Sequence, residues 1–263
     1  QRSLVGSEMC IRDRPIFIDT SADGFILKPE KLQQAIEANR DTVKAVILNY
    51  PTNPTGVTYN RADLSALADV IKQYEIFVLS DEIYSELTYS GMHVSMGEIL
   101  PDQAIVLNGV SKSHAMTGWR VGITAGPAAI IQQIGKVSEF TITSVTTNAQ
   151  RAAEEALKNG MEDSQPMKQA YRKRRDFLMK ALPEAGLEVP HPDGAFYIFA
   201  KLPDRFHDSW KFVYALAREA KVAVIPGASF GPGGEGYVRI SYAASMADLK
   251  LAAERIKQFM ATH

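Results

Sequence analysis

A single cysteine, Cys10, leaves no partner for a disulfide and no cluster for a thiolate metal site, which excludes a cystine framework and any cysteine-based zinc centre. Neither sign of charge is in excess, with 29 Lys+Arg against 30 Asp+Glu. That balance gives no electrostatic footprint for nucleic acid or an anionic membrane surface. No apolar run approaches the roughly 20 residues of a membrane-crossing helix. The His residues at 93, 114, 191, 207 and 263 lack metal-ligand spacing. Internal repeats and low-complexity linkers are missing too. The chain has 263 residues, enough to bury a core without staples, as one large domain or two modest ones. The expectation is a soluble, cytoplasmic α/β protein.

Gln1–Arg14 (QRSLVGSEMCIRDR) has no signal-peptide apolar stretch, no small-residue cleavage site and no sustained period. It is expected to be a non-native leader, so Cys10 says little about redox compartment.

From Pro15 onward, short apolar runs alternate with amphipathic segments. Lys44–Asn49 (KAVILN) is continuously apolar, as in a strand covered on both faces. Asn60 is placed to cap a helix whose Leu64, Leu67, Ala68 and Ile71 recur at i, i+3, i+4 and i+7. Ile76–Leu79, Ala104–Leu107 and Arg120–Ala125 are further strands, the last nearer an edge. This rhythm predicts a mostly parallel, doubly wound sheet. Helices follow over Pro127–Phe140, Asn148–Lys158 and Met167–Leu182, the last stopped by Pro183 and Gly186. A smaller α+β unit comes next. Its strands are Ala195–Ala200, Val222–Ile225 and Tyr237–Tyr242, and its helices are Ser209–Ala220 and Met246–Met260. Ser245 caps the last helix, with Leu249, Ala252, Ile256 and Phe259 on one face. The division is expected inside a helix: 15–155 as the later part of a large domain, 156–263 as a small C-terminal one.

Single polar residues at the strand ends are weak signals. Asn53-Pro54-Thr55-Gly56 reads equally as a turn, Asp81-Glu82-Ile83-Tyr84 as an acidic helix start, and Lys112 as a solvated loop lysine. Together they mean more. Polar groups at the carboxyl ends of successive parallel strands converge on one crevice, where open α/β sheets bind ligands. Asn53, Asp81, Tyr84, Ser111, Lys112 and Arg120 suit a planar phosphorylated pyridine. An amine captures an aldehyde, a carboxylate keeps a ring nitrogen protonated, amide and phenol donors hold a ring oxyanion, and Arg with Ser hydroxyls grips a phosphate.

The stretches NPTG at 53–56, DEIY at 81–84 and SKSHAMTGWRVG at 111–122 closely resemble the class I/II aminotransferases of the fold type I pyridoxal-phosphate enzymes, in the subfamily of aspartate and aromatic aminotransferases. The resemblance runs over about residues 15–263. It implies a pyridoxal 5′-phosphate cofactor, amino acid and 2-oxo acid substrates, and a homodimer in the intact protein. It makes Lys112 the lysine that carries the cofactor and then shuttles the substrate's proton. Asp81 becomes the partner of the pyridine nitrogen, Asn53 and Tyr84 the holders of the 3′-oxygen, and Ser111 and Arg120 ligands of the phosphate. In Tyr237-Val238-Arg239-Ile240-Ser241, Arg239 and Ser241 share one strand face; strand alternation alone makes Arg239 a surface charge, whereas the resemblance makes it the fork for the substrate α-carboxylate.

There are departures. The family often has Ser-x-Ser-Lys where this chain has Gly109-Val110-Ser111-Lys112, so one phosphate hydroxyl is missing. Relatives also carry upstream a substrate-covering segment, a phosphate-binding helix and a ring-stacking aromatic, none matched before Pro15. A fragment with impaired activity is therefore expected. Two other readings stay open. One is a C–S β-lyase of the same fold, against which Met116-Thr117-Gly118-Trp119 argues; the other is the cofactor-binding half of an aminotransferase-like transcription regulator. Gly231–Gly236 (GPGGEG) is read as a turn rather than a phosphate loop, Arg172–Arg175 as a solvated face, and His114 as local structure of the cofactor loop.

Overall fold

The computed structural model describes residues 14–263, so the leader expected over 1–14 lies, apart from Arg14, outside the described residues. Two sheets organise the chain. The first has four strands, β1 (Ala45–Asn49), β2 (Phe77–Asp81), β3 (Ala104–Asn108) and β4 (Ile123–Ala125), in that spatial order. β1–β2 and β2–β3 are parallel, with Asn49 opposite Asp81, while β4 runs antiparallel to β3. Helix α1 (Pro29–Glu37) buries Leu32 and Ile36, and α2 (Arg61–Ile71) buries Leu64, Leu67, Ala68 and Ile71 in the same core. The Asn60 cap forms as a capping box: its side chain accepts from the Asp63 N–H at 3.0 Å and Asp63 accepts from the Asn60 N–H at 3.2 Å. Such a cap contributes about 0.5–2 kcal/mol to the helix.

The second sheet is antiparallel, in the order β5 (Tyr197–Lys201), β7 (Tyr237–Ser241), β6 (Ile225–Pro226). Its apolar face meets α7 (Ser164–Glu184), α8 (Ser209–Ala215) and α9 (Met246–Thr262) in one cluster built from residues such as Leu182, Ile198, Phe212, Val238 and Phe259. Ser245 caps α9 by accepting from the Asp248 N–H at 3.1 Å. The short helix α3 (Met96–Ile99) precedes β3 and α4 (Val110–Ser113) follows it, while α5 (Ala128–Ile142) and α6 (Thr147–Lys158) come after β4.

Several sequence expectations are corrected. The strand expected over Arg120–Ala125 shrinks to Ile123–Ala125, because Thr117–Trp119 form a 3-10 turn and Arg120 takes a left-handed conformation at φ 57°. Val222–Ile225 reduces to Ile225–Pro226. The helix from Ser209 is α-helical only to Ala215; Leu216–Ala220 widen into a π turn that ends at Lys221, φ 56°. Pro183 does not stop α7 but sits in its last turn, and Gly186 at φ 84° ends it, with the Leu187 N–H donating to the Leu182 carbonyl. β1 is not covered on both faces, since Ile47 is 50% exposed while Leu48 is buried. Arg175 departs from the solvated face of Arg172–Arg175. It is buried, donating to the Pro192 carbonyl at 3.1 Å, pairing with Asp176 at 2.7 Å and lying over the Tyr89 ring. A buried guanidinium needs such partners, and periodicity does not reveal them.

The two sheets are joined where the loop after β1 meets the approach to β5. The Gly56 carbonyl accepts from the N–H groups of Asp193 and Gly194, both at 2.9 Å. Gly56 has φ 72°, and a Cβ there would collide with Pro192 and the Tyr197 carbonyl, so only glycine fits. From the other side the Ala195 N–H donates to the Leu87 carbonyl at 3.1 Å. The GPGGEG segment, between β6 and β7, contains one 3-10 turn (Pro232–Gly234) and follows another (Gly227–Phe230), in keeping with its reading as a turn.

Candidate functional site

β1 delivers the first part of the site. Its last residue, Asn49, accepts at Oδ1 from the Asn53 N–H (2.8 Å) and donates from Nδ2 to the Asp81 carbonyl (3.1 Å). The loop 51–56 is closed by the Gly56 N–H donating to the Thr52 carbonyl and by the Thr52 hydroxyl donating to the Asn49 carbonyl, both at 2.8 Å. The Asn53 side chain then reaches the second sheet, where Oδ1 accepts from Arg239 Nη1 at 2.7 Å.

Arg239 leaves β7 on the same face as the diagonally opposed Tyr197 of β5, as the antiparallel register requires. Its guanidinium lies over the rings of Tyr197 (4.5 Å) and Phe230 (4.9 Å). Nε is buried and has no hydrogen-bond partner among the described residues. An aromatic cage holds a cation while leaving its donors free for a planar anion.

β2 ends at Asp81, one residue pair further than its apolar run suggested. Burial raises the Asp81 carboxyl above the usual carboxylate range, while the Ile83 N–H, donating at 3.3 Å, acts against it. Tyr84 is buried, and its hydroxyl is 2.9 Å from that of Tyr197. Burial drives its phenol well up, Tyr197 adds to this, and nearby Arg239 opposes it. Beyond β3, α4 carries Ser111 and Lys112. The Lys112 Nζ stands 5.9 Å from the Tyr84 ring centre and 5.8 Å from that of Phe196. Asn53, Asp81, Tyr84, Lys112 and Arg239 are thereby linked through direct contacts or one intervening residue. Ser111 is half-buried beside Lys112. Arg120 is exposed, and its guanidinium donates to the Thr117 carbonyl of its own turn at 2.8 Å. His114 serves local structure, bonded to Ser113 (2.8 Å) and the Gly160 carbonyl (3.0 Å).

Behind Asp81 sits a polar cluster that sequence reasoning did not find. The buried Glu82 carboxylate accepts from Ser80 (2.8 Å), Ser95 (2.9 Å), Tyr50 (3.1 Å) and the Met96 N–H (3.0 Å), and pairs with His93 Nε2 at 2.8 Å. Burial pushes its carboxyl up, but the hydrogen bond and charge of His93, with Ser80 and Ser95, outweigh this and leave it below the usual value. Asn49 and Tyr197 were missed too. The only available signals were a polar residue closing an apolar strand run and a phenol inside the run AFYIFA.

Comparison with known proteins fits this arrangement. Residues 11–256 match the family model "Aminotransferase class I and II". The chain is 43% identical over 247 residues to a probable N-acetyl-LL-diaminopimelate aminotransferase of Bacillus subtilis, covering 94% of this chain and 62% of that protein. It is 38% identical over 261 residues to the aspartate aminotransferase of the same organism, covering 95% and 65%. The solved aromatic aminotransferase of Pyrococcus horikoshii superposes with a TM-score of 0.90 at 37% identity, covering 95% of this chain and 68% of that one. The chain thus spans a little under two thirds of the length of these curated relatives. With a matching family model over most of its length and the α/β architecture of its structural neighbours, the chain belongs to the class I and II aminotransferases of fold type I.

Proposed function

We propose that the chain works as a pyridoxal 5′-phosphate-dependent aminotransferase, moving an amino group between an L-amino acid and a 2-oxo acid. The observation that carries this reading is the Arg239–Asn53 contact at 2.7 Å, beside the Lys112–Tyr84 wall. With Asn53 Oδ1 engaged by Arg239, its amide NH₂ is left to donate to a ring oxygen. The orphaned Arg239 Nε is a buried donor that a substrate carboxylate would satisfy.

The donor set fits the cofactor. Asp81, raised by burial and carrying a backbone donor, gains a partner when a ring N–H⁺ faces it, and so holds the proton on that nitrogen. Tyr84 and Asn53 would hold the ring oxygen, and Ser111 with Arg120 the phosphate. When bound, pyridoxal 5′-phosphate supplies an electron sink conjugated to the substrate Cα. Lys112 Nζ would hold the cofactor until substrate displaces it, and the freed amine would then take the proton from the substrate Cα. Arg239 orients the substrate by its α-carboxylate, and the rings of Tyr197 and Phe230 keep the guanidinium in place. We further assign 15–155 to a cofactor domain and 156–263 to a small domain, acting as a cytoplasmic homodimer in the intact protein. The division falls in the last turn of α6, which ends at Lys158, just before the break that precedes α7 at Ser164. No helix among the described residues is long and apolar enough to cross a membrane.

The test is covalent trapping. Purified chain is mixed with pyridoxal phosphate, reduced with borohydride and peptide-mapped. The label is expected on Lys112 and is lost in Lys112→Ala. A label spread over other lysines, or one that survives in Lys112→Ala, overturns the assignment. Release of pyruvate and ammonia from a cysteine conjugate without a 2-oxo acid acceptor would assign the β-lyase reaction instead.

A further inference from the structure

We propose that Asn49 is a positioning residue, a strut that locks the Asn53 loop and the Asp81 strand end into one rigid unit. This rests on the cofactor roles proposed for Asn53 and Asp81. The side chain of Asn49 uses both ends of its amide at once. Oδ1 takes the Asn53 N–H at 2.8 Å, and Nδ2 donates to the Asp81 carbonyl at 3.1 Å. That carbonyl also accepts the Tyr50 N–H at 3.1 Å, so the last peptide of β2 is held from both the backbone and the side chain of β1's end. Because Asn53 continues to Arg239 at 2.7 Å, an unbroken line of hydrogen bonds runs from Asp81 through Asn49 and Asn53 to Arg239, from one sheet to the other.

The position is selective for residue type. Aspartate keeps the acceptor for Asn53 but sets a carboxylate against the Asp81 carbonyl. Glutamine is one methylene too long for the parallel register that faces Asn49 with Asp81. Alanine removes both ends. A residue serving only to end a strand would tolerate any of these; a strut does not.

The experiment compares Asn49→Ala and Asn49→Asp in the full chain, by residue-resolved amide exchange without cofactor and by titration with pyridoxal phosphate. In Asn49→Ala the Asn53 N–H is expected to exchange about tenfold faster, as for one lost hydrogen bond. The Thr52 N–H, bonded to the Val57 carbonyl, serves as control. In Asn49→Asp the Asn53 N–H stays protected, because its acceptor is retained. Cofactor affinity falls about tenfold in both variants, while the reduced label still maps to Lys112. Equal Asn53 exchange in the parent and the alanine variant, or the same acceleration in both variants, overturns the strut, as does unchanged cofactor affinity. Failure to label Lys112 in the parent chain would instead overturn the proposed function, and the exchange pattern would still report on the strut.

Discussion

The two sides of the site are built differently. On the side proposed for the ring and the carboxylate, Asn49, Asn53, Asp81, Tyr84, Tyr197 and Arg239 are joined by hydrogen bonds and aromatic contacts before any ligand is considered. On the side proposed for the phosphate, Arg120 is exposed and, among the described residues, its guanidinium bonds within its own turn, and Thr117, Gly118 and Trp119 beside it are exposed as well. The first side draws on two sheets and a buried polar cluster. The second is a short turn next to β4, the antiparallel edge of its sheet, followed by α5, in which no residue is buried. Groups anchored in sheets cost little further ordering when they bind, whereas an exposed turn must lose its freedom at that moment.

The largest effect is expected where the anchored side is deepest. Glu82→Gln removes the charge facing His93 and presents an amide to donors that need an acceptor; unfolding in denaturant should show a loss of about 3 kcal/mol at neutral pH. The pH dependence has a definite sign. Because Glu82 sits below its ordinary value in the fold, its contribution is complete above the unfolded value of about 4.3 and is lost as pH falls through the lower folded value. The gap between parent and variant should therefore close in acid. Asp81, raised in the fold, acts in the opposite sense: its ionisation costs stability as pH rises from its ordinary to its raised value. A gap that stayed constant from neutral pH into strong acid would show that Glu82 does not anchor this side as an ion.

A smaller effect is expected one step nearer the substrate. Arg239→Lys keeps the charge but loses the planar fork and the stacking between Tyr197 and Phe230. Steady-state kinetics should show kcat/KM lower by about 2 kcal/mol, roughly thirtyfold, with the cofactor still trapped on Lys112. An unchanged kcat/KM would remove Arg239 from substrate binding. The smallest effect belongs to the loose side. Arg120→Ala should weaken pyridoxal phosphate by about 1 kcal/mol, and less as salt is raised, because an exposed cation is screened. A loss as large as that of Arg239→Lys would erase the difference between the two sides.

What could be read from the sequence follows the same division. The caps at Asn60 and Ser245, the core face of α2 and the strand ending in Asn49 depend on local spacing, and local spacing was enough to place them, whereas β2 runs on to Asp81, beyond its apolar run. The motif residues Asn53, Asp81, Tyr84 and Lys112 could be expected near one another because parallel strands bring their carboxyl ends to one edge. Contacts between distant segments were not visible. Nothing in KAVILN distinguishes Asn49 as a strut, since its partners lie 4 and 32 residues away. Arg175 looked solvated because its partners come from the approach to β5 as well as from its own neighbour. The shortening of β4 followed from the left-handed Arg120, a conformation that an apolar pattern does not announce.

The most direct measurement is amide exchange followed across the chain before and after pyridoxal phosphate is added. The anchored side is expected to be protected from the start: the N–H groups of Tyr50 and Asn53, bonded to the Asp81 carbonyl and to Asn49 Oδ1, should exchange slowly without cofactor and change little with it. The amides of residues 117–122 should exchange fast at first and slow sharply on binding. Equal slowing on both sides, or fast exchange at Asn53 in the free chain, would contradict an anchored half paired with a loose one.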